Sequence, residues 1–176
     1  MRPRESGVEY DIDHAVISGQ DMWLITHNMT GSNFALAMVP VGSFDSISDL
    51  TELVPHRDDV RVEGVDCFAG HIAFGYRRGG IGRVALAVLA QDEDGAGSAE
   101  TGDAADPVPA SAVNFVELEF DEELYSAGTT GNAEWDSPVL RYAYGSFTTP
   151  SQLWQIDIAS DKRVPLKEQK IRGEFN

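Results

Sequence analysis

The sequence has little of what marks several common classes of protein. It contains one cysteine, Cys67, in 176 residues, so no internal disulfide can form and no cysteine-based zinc site can be built. Cys67 lies in an apolar run, where we expect a buried small hydrophobic residue. No apolar run approaches the roughly 20 residues that cross a bilayer, and the first five residues lead into polar sequence without the hydrophobic stretch of a secretion signal. We therefore expect a cytoplasmic chain with no membrane partner.

Basic residues are scarce relative to acidic ones. Lysine and arginine together number 13, against 29 aspartate and glutamate residues, which gives a formal net charge of -16 at pH 7. A phosphate backbone would be repelled at long range by this charge. The composition therefore predicts that nucleic acid is not a partner.

Motifs for catalysis and cofactor binding are also missing. No Gly-x-Ser-x-Gly elbow occurs, so no serine is marked as a nucleophile. Gly79, Gly80 and Gly82 join two predicted strands, whereas nucleotide-binding glycines lead from a strand into a helix. The four histidines lie in separate strands and turns without helical pairing; they are His14, His27, His56 and His71. We predict no catalytic residue, no metal ligand set and no cofactor in this sequence.

Two acidic segments leave weaker alternatives. Asp58 and Asp59 could act as an acid and base pair, but adjacent side chains on a strand or turn diverge. Residues 92–95 resemble the start of a calcium-binding loop but lack the later carboxylates that such a loop needs. We therefore predict neither a glycosidase pair nor a calcium site.

The segment that organises the rest runs from Glu134 to Asp157. Leu140, Tyr142 and Tyr144 alternate with smaller or charged residues, and a second alternating run begins after Pro150. This period of two is typical of pleated strands, and proline is expected at the entry of a strand because it has no N–H to donate. The pattern predicts a β-hairpin with aromatic bulk on one face and small residues on the other, which suits stacked sheets.

The whole chain consists of strand-sized segments without a sustained helical period. They group into three sets of four, at about residues 8–54, 61–120 and 124–168, within a single domain of residues 1–176. An acidic insert at residues 91–112 has almost no packing residues, and we expect it to be disordered. Without the insert, the sets repeat every 45 to 50 residues or so, the period of a four-stranded propeller blade. We predict an all-β fold of three four-stranded antiparallel blades of a β-propeller.

Four segments resemble a known family. They are Pro55–Val60, Phe115–Gly131, Glu134–Ser137 and above all Arg141–Pro150, which reads Arg-Tyr-x-Tyr-x-Ser-x-Thr-Thr-Pro. They are similar to the propeller of the oligopeptidase B branch of the prolyl oligopeptidase family, serine peptidases of the hydrolase class. The resemblance spans about residues 7–174 and implies a seven-bladed propeller that caps an α/β-hydrolase lobe. It further implies proteolysis of short peptides after Lys or Arg, with the propeller restricting access to a buried nucleophile.

On this resemblance the chain is the last three blades, and its partners are the missing hydrolase lobe, the remaining blades and, through the parent protein, short peptides. No catalytic residue can be carried over, because the segment has no counterpart of the lobe's serine, aspartate and histidine. We expect the chain alone to be inactive and to self-associate through exposed blade faces. A different hypothesis is a self-standing β-sheet interaction module without peptidase function.

Strand order predicts which turns share an end of the sheets. In an up-and-down sheet, the turns between second and third strands and the links between blades emerge on one side, opposite the acidic insert. We expect this face to contact the missing lobe; the residues are Arg57, Asp58, Arg77, Arg78, Thr148 and Thr149. The alternative is that these are ordinary turns whose residues satisfy backbone needs alone.

Overall fold

The computed structural model describes residues 6–90 and 108–169, and its regular structure there is β apart from two single-turn 3-10 helices, Ile47–Asp49 and Ala110–Ala112. The strands are β1 (Tyr10–Ile17), β2 (Gln20–His27), β3 (Ala35–Pro40), β4 (Thr51–Val54), β5 (Val60–Cys67), β6 (His71–Arg78), β7 (Ile81–Val88), β8 (Val116–Glu117), β9 (Tyr125–Thr129), β10 (Val139–Ser146), β11 (Gln152–Asp157) and β12 (Arg163–Glu168). Within these ranges, no helix has the length and apolar character to span a membrane.

The strands form three four-stranded antiparallel sheets in which neighbours in sequence are neighbours in space. Sheet 1 contains β1 to β4, sheet 2 contains β5 to β8 and sheet 3 contains β9 to β12, each in chain order. Short connections favour this arrangement because antiparallel strands can be joined by tight turns. The predicted fold class of three four-stranded antiparallel sheets is confirmed. The sheets extend over Tyr10–Val54, Val60–Glu117 and Tyr125–Glu168. The predicted sets are 8–54, 61–120 and 124–168, so the bounds differ by no more than a few residues.

The predicted central hairpin is β10 and β11. Tyr142 lies opposite Trp154 in the antiparallel register, and Pro150 precedes the second strand. Leu140 and Tyr142 are buried while Arg141 between them is exposed, as the period of two requires. The aromatic face of this hairpin therefore points into the protein.

Hydrophobic cores lie between the sheets, with sheet 2 in the middle. One core joins sheets 1 and 2 through residues such as Leu24, Leu36 and Ile72, and the other joins sheets 2 and 3 through residues such as Val84 and Leu140. Full burial of one such side chain contributes roughly 1.5–3 kcal/mol. Stacking of the sheets therefore provides most of the apolar burial that holds each sheet in place.

Cys67 is a free, buried thiol in the first core, as its apolar surroundings predict. Burial raises the pKa of this thiol far above its usual range, because the thiolate would lose its hydration. The structure therefore gives Cys67 a packing role.

The end of the predicted insert differs from the expectation. Residues 91–107 lie outside the described residues, but residues 108–112, which were expected to be disordered with them, belong to the fold. Val108 is buried in the first core beside Val113, and Ala110–Ala112 forms one of the 3-10 turns. Burial of the two valine side chains in the core stabilises this short segment, a tertiary effect that local composition does not show.

Candidate domain-contact surface

One end of the three sheets brings together the turns that strand order predicts there. The β2–β3 turn packs on the link between sheets 1 and 2, where the amide of Asn33 donates to the backbone oxygens of Arg57 at 3.1 Å and Asp58 at 3.0 Å. The β6–β7 and β10–β11 turns line a common cleft. We call this end the shared rim; it comprises residues 29–34, 55–61, 76–83, 117–125 and 144–151.

The opposite end of the sheets carries the other turns. There the N–H of Leu89, just after β7, donates to the oxygen of Gly70 in the β5–β6 turn at 3.0 Å. The chain therefore enters residues 91–107 from the end opposite the shared rim.

The packing of the rim is close at Gly31. A Cβ atom placed on this glycine would lie 2.2 Å from Cδ2 of His56, far inside van der Waals contact. A larger residue here would have to displace the His56 ring, so the approach of this link, and not an unusual backbone angle, favours glycine.

Arg57 and Asp58 lie on this link, with their side chains at the surface. The guanidinium of Arg57 donates to both carboxylate oxygens of Asp59, from Nε at 2.9 Å and from Nη2 at 2.8 Å. This hydrogen bonding lowers the pKa of Asp59, because it favours the ionised carboxylate. Asp59 is thus a poor proton donor, which argues against the acid and base pair with Asp58.

Arg77 and Arg78 end β6 at the same rim. Arg77 pairs with Glu63 on the adjacent strand, with 2.7 Å between Nη2 and Oε1. Arg78 reaches Glu117 on the other side of the sheet, at 3.3 Å between Nη2 and Oε2. Both predicted contact residues are therefore held by carboxylates of their own sheet.

Glu117 is the centre of a larger network that the sequence did not reveal. Its carboxylate accepts hydrogen bonds from Tyr76, Arg78 and Arg83, and from Tyr125 in sheet 3 at 3.5 Å. Partial burial raises the pKa of Glu117, but the hydrogen bonds from Tyr76 and Arg83 outweigh this effect and leave the pKa below its usual range. A charged glutamate therefore ties sheet 2 to sheet 3 beneath the rim.

Thr148 and Thr149 lie in the β10–β11 turn and point to one acceptor. Their hydroxyls donate to the carboxylate of Glu122 at 2.7 Å and 2.5 Å, and the hydroxyl of Tyr144 donates to it at 3.1 Å. Hydroxyls from Ser146, Thr148 and Thr149 lower the pKa of Glu122 to about 2. The two threonines therefore fasten the turn to the link between sheets 2 and 3.

A cleft of about 870 Å³ opens on the shared rim between sheets 2 and 3. Its walls carry Arg77, Gly80 and Ile81 from sheet 2, and Tyr125 and Phe147 from sheet 3. Leu124 and small residues of β9 and β10 such as Ala127, Gly128 and Gly145 also line it. Its volume falls within the range of ligand pockets, roughly 300–1,000 Å³.

The six predicted contact residues do not form one cluster. Arg57 and Asp58 adjoin the β2–β3 turn, Arg77 lines the cleft, Arg78 belongs to the Glu117 network, and the two threonines lie across the cleft. Sequence reasoning missed Glu117, Glu122 and Phe147. The Asp-Glu-Glu that follows Phe120 and the hydroxyl-rich turn were visible signals for Glu122, but nothing local marks Glu117.

The remaining titratable groups do not assemble into a reactive centre within the part of the chain that the structure describes. His27 and His71 are buried, and His14 pairs with Asp21 at 2.8 Å. No group of three or more metal-binding side chains occurs among the described residues.

Comparison with known proteins identifies the family that shares this architecture. Residues 1–169 match the family described as prolyl oligopeptidase, N-terminal beta-propeller domain. The chain is 33% identical to a dipeptidyl aminopeptidase BI from Pseudoxanthomonas mexicana over 174 residues, 98% of this chain and 20% of that protein.

Solved structures agree with this match. Oligopeptidase B from Trypanosoma brucei, in a closed form with covalently bound antipain, matches 99% of this chain with a TM-score of 0.75 and 25% identity. Oligopeptidase B from Leishmania major matches 99% of it with a TM-score of 0.74 and 25% identity. In both cases the chain covers 22% of the longer protein, so it spans about a fifth of the length of these relatives. The three stacked sheets and the matched profile together show that the chain belongs to the N-terminal β-propeller family of the prolyl oligopeptidases.

Proposed function

We propose that this chain is the non-catalytic propeller portion of a serine oligopeptidase that cleaves short peptides after Lys or Arg. The match of residues 1–169 to a peptidase propeller carries the proposal, and the likeness to oligopeptidase B supports the choice of substrate. In this proposal the propeller limits which peptides reach the nucleophile, and the hydrolase lobe performs acyl transfer.

The shared rim is the surface that we assign to contact with that lobe. It presents Arg57 and Asp58 on the link between sheets 1 and 2, Arg77 and Arg78 at the end of β6, and Thr148 and Thr149 in the β10–β11 turn. The hydrogen bonds around Glu117 and Glu122 fix these turns before any partner binds, which lowers the entropic cost of docking. Sheet 1 has a different role, because Tyr10 and Ile12 on β1 are exposed. Their apolar surface favours self-association of the isolated chain. Sedimentation over a range of concentrations tests this expectation.

A second activity is supported by one observation. The 33% identical relative is named a dipeptidyl aminopeptidase, so the parent protein could remove dipeptides from a free amino terminus. The two activities differ in the substrate end that is recognised, and a blocked amino terminus excludes only the second.

The experiment uses both the full-length peptidase and the 176-residue chain. We expect the full-length protein to hydrolyse an amino-terminally blocked reporter with Arg before the scissile bond, and the chain alone to be inactive on it. Cleavage only of reporters with a free amino terminus would favour the dipeptidyl activity. Activity of the chain alone that a serine-directed inhibitor blocks would refute the non-catalytic assignment.

A further inference from the structure

Phe147 is the most exposed large hydrophobic residue described. Its side chain is 95% exposed at the tip of the β10–β11 turn, whereas Tyr142 and Tyr144 on the preceding strand are buried. An exposed aromatic ring keeps a large apolar area in water, and rigid aromatic residues are frequent centres of binding energy in protein interfaces. The exposure of Phe147 therefore indicates a surface that binds a partner.

The turn that carries Phe147 is held in one conformation. The N–H of Ser146 donates to the oxygen of Thr149 at 2.9 Å, and the hydroxyl of Ser146 accepts from the N–H groups of Thr148 at 3.1 Å and Thr149 at 2.8 Å. Both threonine hydroxyls are anchored on Glu122. The ring is therefore presented on a preorganised loop, and little further entropy is lost when it binds.

The shape beside Phe147 points to a protein surface as the occupant. The ring protrudes next to the 870 Å³ cleft, and Leu124 on the same cleft wall is 61% exposed. Because the ring borders the cleft and is still 95% exposed, a small ligand or a peptide in the cleft would cover only the side of the ring that faces it. A folded domain with a pocket for the ring and a ridge for the cleft would cover both.

The charges at this place do not select a basic peptide. Arg77 in the cleft wall is paired with Glu63, and Glu122 is saturated by hydroxyl donors. These charged groups are therefore already paired or hydrogen-bonded within the chain, although Glu122 keeps its negative charge and the chain a net charge of -16. We therefore assign the attraction to the exposed apolar surface of Phe147 and Leu124.

We propose that Phe147 inserts into an apolar pocket on the catalytic domain of the parent polypeptide and acts as the contact that holds the two domains closed. This inference rests on the proposed function. The chain covers 22% of the Trypanosoma brucei oligopeptidase B, whose structure is of a closed form, so a matching parent provides ample chain for the covering domain. Phe147 is a positioning residue here, since it lies outside the reacting groups.

The test compares full-length peptidase variants that remove the ring, keep apolar bulk or alter a distant exposed residue. These are Phe147→Ala, Phe147→Leu and Val88→Ala. Val88 lies at the end of sheet 2 opposite the shared rim, and it is 64% exposed. We expect Phe147→Ala to lower kcat/KM about tenfold, the scale of a hot-spot contact. Phe147→Leu should restore most of the activity and Val88→Ala should behave as wild type. In the 176-residue chain, where the ring is exposed, Phe147→Ala should leave the thermal midpoint unchanged.

A second readout separates this inference from the proposed function. Small-angle scattering measures the radius of gyration with and without antipain, and we expect Phe147→Ala to lose the compaction that the inhibitor produces in the wild type. If the full-length protein cleaves no peptide but Phe147→Ala still impairs compaction, the proposed function fails and the inference stands. If Phe147→Ala compacts as the wild type does, the inference is overturned. A change in KM alone would then assign the ring to peptide contact, and a change in oligomeric state would assign it to contact with a second copy of the chain.

Discussion

Glu117 and Glu122 lie in the same connection between sheets 2 and 3 but do different work. Glu117 accepts from two arginines and two tyrosines, and its side chain is 26% exposed. Glu122, which is also partly exposed, accepts only from neutral hydroxyls, those of Tyr144 on β10 and of Thr148 and Thr149 in the turn that follows. The first joins elements from two sheets, whereas the second sets the shape of a single loop.

The comparison predicts that a carboxylate's contribution to stability depends on the charge and burial of its donors more than on how many hydrogen bonds it accepts. Around Glu117, removal of the carboxylate would strand a guanidinium and a phenol that water reaches poorly. Around Glu122 the donors are neutral hydroxyls, and water can reach Thr148, which is exposed, and Thr149, which is partly exposed. The two residues should therefore respond differently to the same kind of substitution.

The largest effect is expected for Glu117→Ala. Arg83, whose side chain is 17% exposed, and the hydroxyl of Tyr76 lose their shared acceptor, so we expect the free energy of unfolding to fall by roughly 3 kcal/mol. Urea denaturation of the 176-residue chain measures this loss. Glu119→Ala, at an exposed position two residues away, is the matched control and should change stability little. Equal effects of both substitutions would contradict the role assigned to the network.

An intermediate effect is expected from a histidine that is buried in the fold. His71 stacks on Phe68 with 4.4 Å between ring centroids, and its Nε2 is buried without a hydrogen-bond partner among the described residues. Burial lowers the pKa of His71 from 6.5 to about 4. The unfolded chain therefore binds the proton more readily between these values, and stability should fall as the pH falls from 6.5 towards 4.

Denaturation at several pH values checks this expectation for His71. The difference in stability between wild type and His71→Phe should change across the window from pH 6.5 to 4 and level off above it. His14→Phe, which alters a partly exposed imidazole, serves as the control for loss of a histidine. A difference that stays constant with pH would show that His71 is not kept neutral by its surroundings.

The smallest effect on global stability is expected for Glu122→Gln. The pKa of Glu122 is lowered from 4.5 to about 2 by the surrounding hydroxyls, so its contribution is present above pH 4.5 and is lost as the pH falls towards 2. We expect faster amide exchange at Thr148 and Thr149 with little change in the unfolding midpoint. Glu123→Gln, at the adjacent exposed position, is the control. Unaltered exchange at both threonines would mean that the backbone alone shapes the turn.

Much of the fold can be read from local patterns. The alternation of Leu140, Tyr142 and Tyr144, together with Pro150, specifies the central hairpin, and short turns specify the up-and-down order of all three sheets. The candidate site is less accessible to such reasoning. Tyr76 and Glu117 are 41 positions apart, and Glu122 and Thr149 are 27 apart, so no window of sequence contains either pair. The insert is predicted to continue past Val108 for the same reason, because the core that buries Val108 is formed by residues distant in sequence.

The sequence by itself determined the strands, their order and the sign of the net charge, because periodicity, turn residues and composition act within a few neighbouring positions. Tertiary structure alone decided which carboxylates meet arginines and which meet hydroxyls, and that Phe147 remains in water beside a cleft. It also decided that Nε2 of His71 is buried without a hydrogen-bond partner among the described residues. The alternation of a strand fixes the face on which a side chain lies, but another sheet must stack there before that face has an environment.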